Sequence, residues 1–209
     1  MIAIIDYGVG NLFSLKCSFA AIGHEAAVTG DPGVIRSAER IVLPGVGAFA
    51  DAAEKLRATG LDRVVKEEAA RGKLLLGICL GMQLLLDRSE EYGLHEGLGL
   101  IPGEIKSIAG VINPDYKIPH MGWNALTFRG EKHPLFSGIH EGDYVYFVHS
   151  FAGFECNENV IATADYGYPL TAAVARGNVM GTQFHPEKSG EVGLRILKAF
   201  CEMKEGTLC

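Results

Sequence analysis

Between Lys73 and Asp87 runs the longest uncharged stretch of the chain, the thirteen residues Leu74 to Leu86. It opens on three consecutive leucines and continues Gly77-Ile78-Cys79-Leu80-Gly81-Met82-Gln83. The leucines show no apolar/polar alternation, so a strand over Lys73–Gly77 must be covered on both faces. Such a strand belongs inside a parallel sheet, with helices on either side to serve as crossovers. The stretch falls short of the ~20 apolar residues that cross a bilayer, so it reads as a buried segment.

The surrounding sequence fits that architecture. Ile2–Asp6, Ala26–Thr29 and Arg40–Leu43 read as further strands. Helical patterns run from about Phe49 to Thr59 and from Leu61 to Arg71, stopped by Gly60 and Gly72. Asn11 is expected to cap a helix that Gly23 ends. Beyond residue 100 the character changes: Leu100–Ile108, Trp123–Phe128, Tyr144–Phe151, Val160–Asp165, Leu170–Arg176 and Val179–Phe184 read as strands. Gly177-Asn178 is a hairpin turn between the last two, and Ser189 is expected to cap a closing helix to about Met203. The expectation is one α/β domain over residues 1–209, a mixed, mostly parallel central sheet flanked by helices.

Composition narrows the function. The 209 residues carry 19 Lys+Arg against 25 Asp+Glu, a net charge of -6, which argues against a nucleic-acid partner. Five scattered cysteines (Cys17, Cys79, Cys156, Cys201, Cys209) without a CxxC make a disulfide framework or a Cys-rich zinc site unexpected. Asp6 follows Met1–Ile5 with no basic n-region, so no secretory signal is expected, and a reducing cytoplasm suits the thiols. No membrane segment, metal or cofactor is called for.

Gly77-x-Cys79-x-Gly81 has the pattern of a nucleophile elbow with sulfur in place of oxygen. A strand that turns at once into a helix forces its central residue into a strained region, and the flanking glycines relieve crowding. The thiol then stands at a helix N-terminus, where the dipole favours thiolate over the reference thiol pKa of ~8.5. A cysteine nucleophile needs a base and an orienter. Gln183-Phe184-His185-Pro186-Glu187 supplies both: His185 and Glu187, two apart, can point the same way in extended chain, and Pro186 biases His185 toward extended geometry. His24, His95, His133 and His140 carry no such context and read as core or surface residues. Pro44-Gly45-Val46-Gly47 follows a strand and can aim backbone N–H groups at an oxyanion, together with the N–H of Leu80.

A competing reading exists. Gly45-x-Gly47-x-x-Ala50, and Gly8-x-Gly10-x-x-Phe13 with Asp31 downstream, partly match a dinucleotide fingerprint. Phe13 occupies the third glycine position, and the strand after Gly45 leads to Gly77-Ile78-Cys79 rather than to an acid. Turn glycines in an α/β fold are the simpler account.

Gly77–Gln83 and His185-Pro186-Glu187 resemble the nucleophile and His-Pro-Glu segments of the class I glutamine amidotransferases. Within the class the likeness is closest to the glutaminase subunits of imidazole glycerol phosphate synthases. It rests on Asp6–Asn11, Pro44–Gly47, Pro119–Asn124, Tyr146–Ser150 and Gln183–Lys188, which together span nearly the whole chain. The resemblance implies an elbow-bearing class I fold and a Cys79/His185/Glu187 triad. It implies an oxyanion site of Leu80 with Val46 and Gly47. It places Gly45, Gln83, Glu91 and the segment His149, Ser150, Phe151 around the substrate L-glutamine. It also implies that ammonia passes to a (β/α)8-barrel cyclase, which makes imidazole glycerol phosphate and an aminoimidazole carboxamide ribotide in histidine biosynthesis. Asn11, Pro119, His120, Met121, Trp123 and Lys188 are the interface candidates; core packing (Met121, Trp123) and solvated surface (Lys188) are the competing readings. Glutaminase subunits of pyridoxal phosphate synthase or anthranilate synthase, and a non-catalytic interaction subunit, remain alternatives. A diazo-ketone analogue of glutamine should label Cys79 and no other cysteine, as read by peptide mass spectrometry; labelling elsewhere would break the assignment.

Overall fold

A computed structural model describes residues 1–204. In chain order the strands are β1 (Ile2–Ile5), β2 (Ala26–Thr29), β3 (Arg40–Gly45), β4 (Leu74–Cys79), β5 (Arg88–Ser89), β6 (His95–Glu96), β7 (Glu104–Ser107), β8 (His120–Phe128), β9 (Tyr144–His149), β10 (Phe151–Phe154), β11 (Val160–Asp165), β12 (Pro169–Arg176) and β13 (Val179–Thr182). The helices are α1 (Leu12–Ala21), α2 (Pro32–Ser37), α3 (Phe49–Ala58), α4 (Leu61–Ala70), α5 (Leu80–Leu85) and α6 (Gly190–Glu202).

Nine strands form the main sheet in the order β2-β1-β3-β4-β13-β12-β11-β8-β9. Pairing is parallel from β2 through β13 and antiparallel from there to β9. β4 is central and buried at every residue, as its continuous apolar run requires. Its alternate residues serve two cores. Leu76 joins Ile4, Val42 and the α1 and α6 residues Phe19 and Phe200, while Leu75 joins Ile41, Leu43 and Val64 and Val65 of α4. Each fully buried leucine contributes ~1.5–3 kcal/mol of apolar transfer.

Several expectations are corrected. Asn11 precedes α1 but its side chain makes no capping bond. Ser189 likewise does not cap α6; its hydroxyl donates to the His185 carbonyl at 2.7 Å and accepts from the Tyr146 N–H at 3.0 Å. Helix α2 was not foreseen; Asp31 caps it, accepting from Gly33 N at 2.6 Å and Val34 N at 3.2 Å. That bond occupies the carboxylate the dinucleotide reading needed. The strand expected over Leu100–Ile108 shrinks to β7. The one expected over Tyr144–Phe151 breaks at Ser150, so β9 stays in the main sheet while β10 joins a second, four-stranded sheet, β10-β7-β5-β6. Ser150 anchors the break by accepting the Ile108 N–H at 3.0 Å.

The turn from β4 into α5 is tightly packed. Cys79 sits at φ 55, ψ -112, a conformation that costs an L-residue on the order of 1–3 kcal/mol. A Cβ on Gly77 would lie 2.7 Å from the Gly81 carbonyl oxygen, and one on Gly81 would run into the Leu43 carbonyl of β3. Gly81→Ala should therefore cost about 3 kcal/mol of unfolding free energy in urea titration. Gly177→Ala, whose Cβ meets nothing within 4 Å, should cost only the ~1–2 kcal/mol of a left-handed backbone.

Candidate active site

Strand register brings the predicted residues together. Gly45 at the end of β3 pairs with Cys79 at the end of β4, and Thr182 at the end of β13 pairs with Ile78. The carboxyl ends of three adjacent parallel strands thus open on one crevice, where open α/β sheets place their ligands. A cavity of about 320 Å³ lies there, lined by Val46, Gly47, Cys79, Leu80, Gln83, Glu91, Tyr92, Val148, His149, Ser150, Phe151, His185 and Lys188. Cys79 is 7% exposed and borders this cavity. Of the catalytic, oxyanion and substrate residues expected from sequence, Gly45 and Glu187 lie just behind the lining and the rest form it.

His185 Nδ1 is 2.8 Å from Glu187 Oε1, and both side chains are almost wholly buried. The segment is not fully extended, contrary to expectation: His185 is extended at ψ 99, but Pro186–Lys188 closes into a 3-10 turn that carries Glu187 under the imidazole. Glu187 Oε2 is buried without a hydrogen-bond partner among the described residues. Burial alone would lower the pKa of His185. Hydrogen bonds to Cys79 and Glu187, and the charges of both, outweigh it and raise the value to about 9. With Nδ1 engaged by the carboxylate, the other ring nitrogen faces the thiol.

Gln183 is the residue sequence reasoning passed over. It lies two positions before His185, so the period-2 rule already applied to His185 and Glu187 puts it on the same side. Its Nε2 donates to Cys79 Sγ at 3.8 Å, and its Oε1 accepts from Gln83 Nε2 at 3.0 Å. Gln83 Nε2 also reaches the Phe151 carbonyl at 3.1 Å. Glu91 Oε2 accepts the Phe49 N–H at 2.6 Å.

A family model of class I glutamine amidotransferases matches residues 3–203. The chain belongs to the class I glutamine amidotransferases. The imidazole glycerol phosphate synthase subunit HisH of Syntrophotalea carbinolica is 49% identical over 207 residues, covering 97% of this chain and 100% of the relative. The HisH subunit of Oceanobacillus iheyensis is 50% identical over 204 residues, covering 97% and 99%. Among solved structures, the crystal structure of a glutamine amidotransferase superposes with TM-score 0.75 at 18% identity, covering 97% of this chain and 98% of that one. PurLQS from Thermotoga maritima gives 0.74 at 22%, covering 96% of each. These two likenesses concern the fold.

The remaining candidates of this amidotransferase separate by exposure. Met121 is 63% and Trp123 51% exposed on β8, so neither is core. Pro119 and Lys188 are exposed and Asn11 is half-buried; the Lys188 ammonium lies 5.8 Å from the centre of the Tyr146 ring. His120, expected at the interface, is 0% exposed and cannot touch a partner. It stacks between Phe147 and Tyr166, bonds His149 Nε2 through Nδ1 at 2.9 Å, and faces Asn124 Oδ1 at 2.8 Å through Nε2. His149 Nδ1 faces the Phe151 carbonyl at 2.9 Å. Burial lowers the pKa of both imidazoles, that of His149 to about 3, helped by the charge of His120. Two neutral rings carry two hydrogens for three contacts, so one contact goes without.

Cys17 is exposed, Cys156 and Cys201 are buried and unpaired, and Cys209 lies outside the described residues. No group of three metal-ligating side chains, and no helix long and apolar enough to cross a membrane, occurs among the described residues. A histidine NMR titration should find the His185 midpoint near pH 9, its proton held below that and lost above. Glu187→Gln removes one charge that holds the proton and should move the midpoint down; an unmoved midpoint would mean that the pair does not act on His185.

Proposed function

We propose that this chain is the glutaminase subunit of an imidazole glycerol phosphate synthase, acting in the cytoplasm in histidine biosynthesis. It hydrolyses L-glutamine to glutamate and ammonia and passes the ammonia to a (β/α)8-barrel cyclase subunit. The observation that carries the chemistry is the buried Cys79–His185–Glu187 arrangement at the mouth of one cavity. The near-half identity to HisH subunits over the full length supports the choice of partner.

The steps follow from the geometry. Cys79 Sγ, as thiolate beside the His185 imidazolium, attacks the carboxamide carbon. The carbonyl π electrons move to oxygen, which the Leu80 N–H and the Val46–Gly47 turn stabilise. The intermediate collapses, breaking the C–N bond; nitrogen takes the His185 proton and leaves as ammonia. His185 then deprotonates a water that attacks the thioester, and Cys79 departs as thiolate with glutamate released. Glu187 holds the imidazole in one tautomer and steadies its charge. Gln83, Glu91 and the backbone of His149–Phe151 hold the amino-acid end of glutamine, with Gly45 at the floor of the turn.

Ammonia in neutral water is mostly protonated and then no nucleophile, so delivery through a dry interface keeps it reactive. Met121 and Trp123 project from β8, and Pro119, Lys188 and Asn11 are the further residues of the proposed contact; an exposed apolar pair of this kind suits a docked partner. Cys79→Ala should abolish glutamine-dependent synthesis by the complex and spare synthesis from ammonium salt; loss of both would make Cys79 structural. Steady-state assays should show the isolated chain hydrolysing glutamine far more slowly than the complex. Equal rates would remove activation by the partner.

A further inference from the structure

The turn that follows β3 is held from outside at both of its ends. At its entry the Tyr7 hydroxyl, buried beneath the turn, donates to the Pro44 carbonyl at 2.7 Å. The contact is close-packed: a Cβ on Gly45 would lie 2.9 Å from the Tyr7 oxygen. At its exit the first N–H of α3, that of Phe49, is held by Glu91 Oε2 at 2.6 Å. Helix α3 has no cap of its own, since Ala48 stands at the N-cap and offers no acceptor. Between the anchors lie Val46 and Gly47, exposed to the cavity, with Gly47 at φ 94.

We propose that Tyr7 and Glu91 are positioning residues that together set the conformation of the Gly45–Ala48 turn, and that Glu91 couples this turn to the amino group of bound glutamine. The proposal rests on the glutaminase reading above and adds to it the parts that hold the oxyanion site. Tyr7 turns the Pro44 carbonyl away from the cavity and fixes the plane of the Pro44–Gly45 peptide, so only the peptides beyond Gly45 can reorient. Burial, and secondarily the charge of Cys79, raises the Tyr7 pKa, so the phenol stays a donor throughout the working range. Glu91 fixes the other end with one oxygen, and its remaining acceptor capacity borders the cavity. A cationic amino group drawn to that carboxylate therefore pulls on the same side chain that anchors the start of α3.

Two substitutions at Glu91 separate its tasks. Glu91→Gln keeps an acceptor for the Phe49 N–H and loses the charge; Glu91→Ala loses both. Measured on the complex with its cyclase, Glu91→Gln should raise KM for glutamine about tenfold, through lost binding of the amino group, and lower kcat about threefold, through the lost pull on the turn. Glu91→Ala should raise KM likewise and lower kcat a further ~10–100-fold, the range for a weakened oxyanion donor. Tyr7→Phe should lower kcat by ~10-fold or more and leave KM unchanged. In Tyr7→Phe the alkylation of Cys79 by iodoacetamide, which forms no oxyanion, should keep its rate, while a glutamine chloroketone should react more slowly. Hydrogen exchange on the full chain reads the anchors without any turnover. Amides of residues 45–50 should exchange faster in Tyr7→Phe and Glu91→Ala and at the original rate in Glu91→Gln. Unchanged exchange in the first two, or equal kcat for Glu91→Ala and Glu91→Gln, would overturn the proposal. A wild-type complex without glutaminase activity but with the expected exchange pattern would instead overturn the functional reading.

Discussion

Everything at the site depends on the close backbone approach of the first turn of α5 to β3, where a Cβ on Gly81 would run into the Leu43 carbonyl. This contact lets α5 begin at the last residue of β4 and holds Cys79 in a conformation it would not adopt alone. The parallel ladder supplies the force. Six paired positions between β3 and β4, and four between β4 and β13, fix the three strand ends at one level. The strain at Cys79 is small beside the apolar burial of β4, so the fold absorbs it without rearrangement.

Much of the parallel half was legible because its signals are local and redundant. Leu74–Leu76 announced burial on both faces, and Gly77 and Gly81 announced the elbow. The second half was less legible. Tyr144–Phe151 has strand character throughout, and nothing in its residue types marks Ser150 as the point where the chain leaves one sheet for another. That break is set by pairing with β7, a partner more than forty residues away in sequence. Caps failed for a related reason. Asn11 and Ser189 have the right chemistry, yet tertiary partners decide where a side-chain oxygen goes, and Ser189 is drawn to His185 and Tyr146 instead. His120 shows the limit of reading by segment. It belongs to the Pro119–Asn124 run that reaches the surface, but strand alternation turns it inward while Met121 turns outward.

Charge at the site is arranged by pairing against burial. His185 and His149 are both deeply buried, and burial disfavours the imidazolium in each. Only His185 has a carboxylate and a thiol beside it, and it alone is pushed upward. His149 has a second imidazole and a backbone carbonyl, neither of which offsets the lost hydration, so it is neutral. Two histidines in one cavity wall thus hold opposite protonation states for reasons readable from their neighbours.

Gln183 raises a problem peculiar to an enzyme of this kind. In the proposed mechanism a thiol that opens carboxamides stands beside a carboxamide of its own chain. The two bonds that Gln183 makes settle the matter by orientation: its nitrogen faces the sulfur, and its oxygen is turned away to Gln83. Attack would drive negative charge onto that oxygen, where a single neutral amide awaits it instead of the backbone N–H groups proposed as the oxyanion site. Tethered facing the wrong way, the protein's own amide is a poor target for its own thiol.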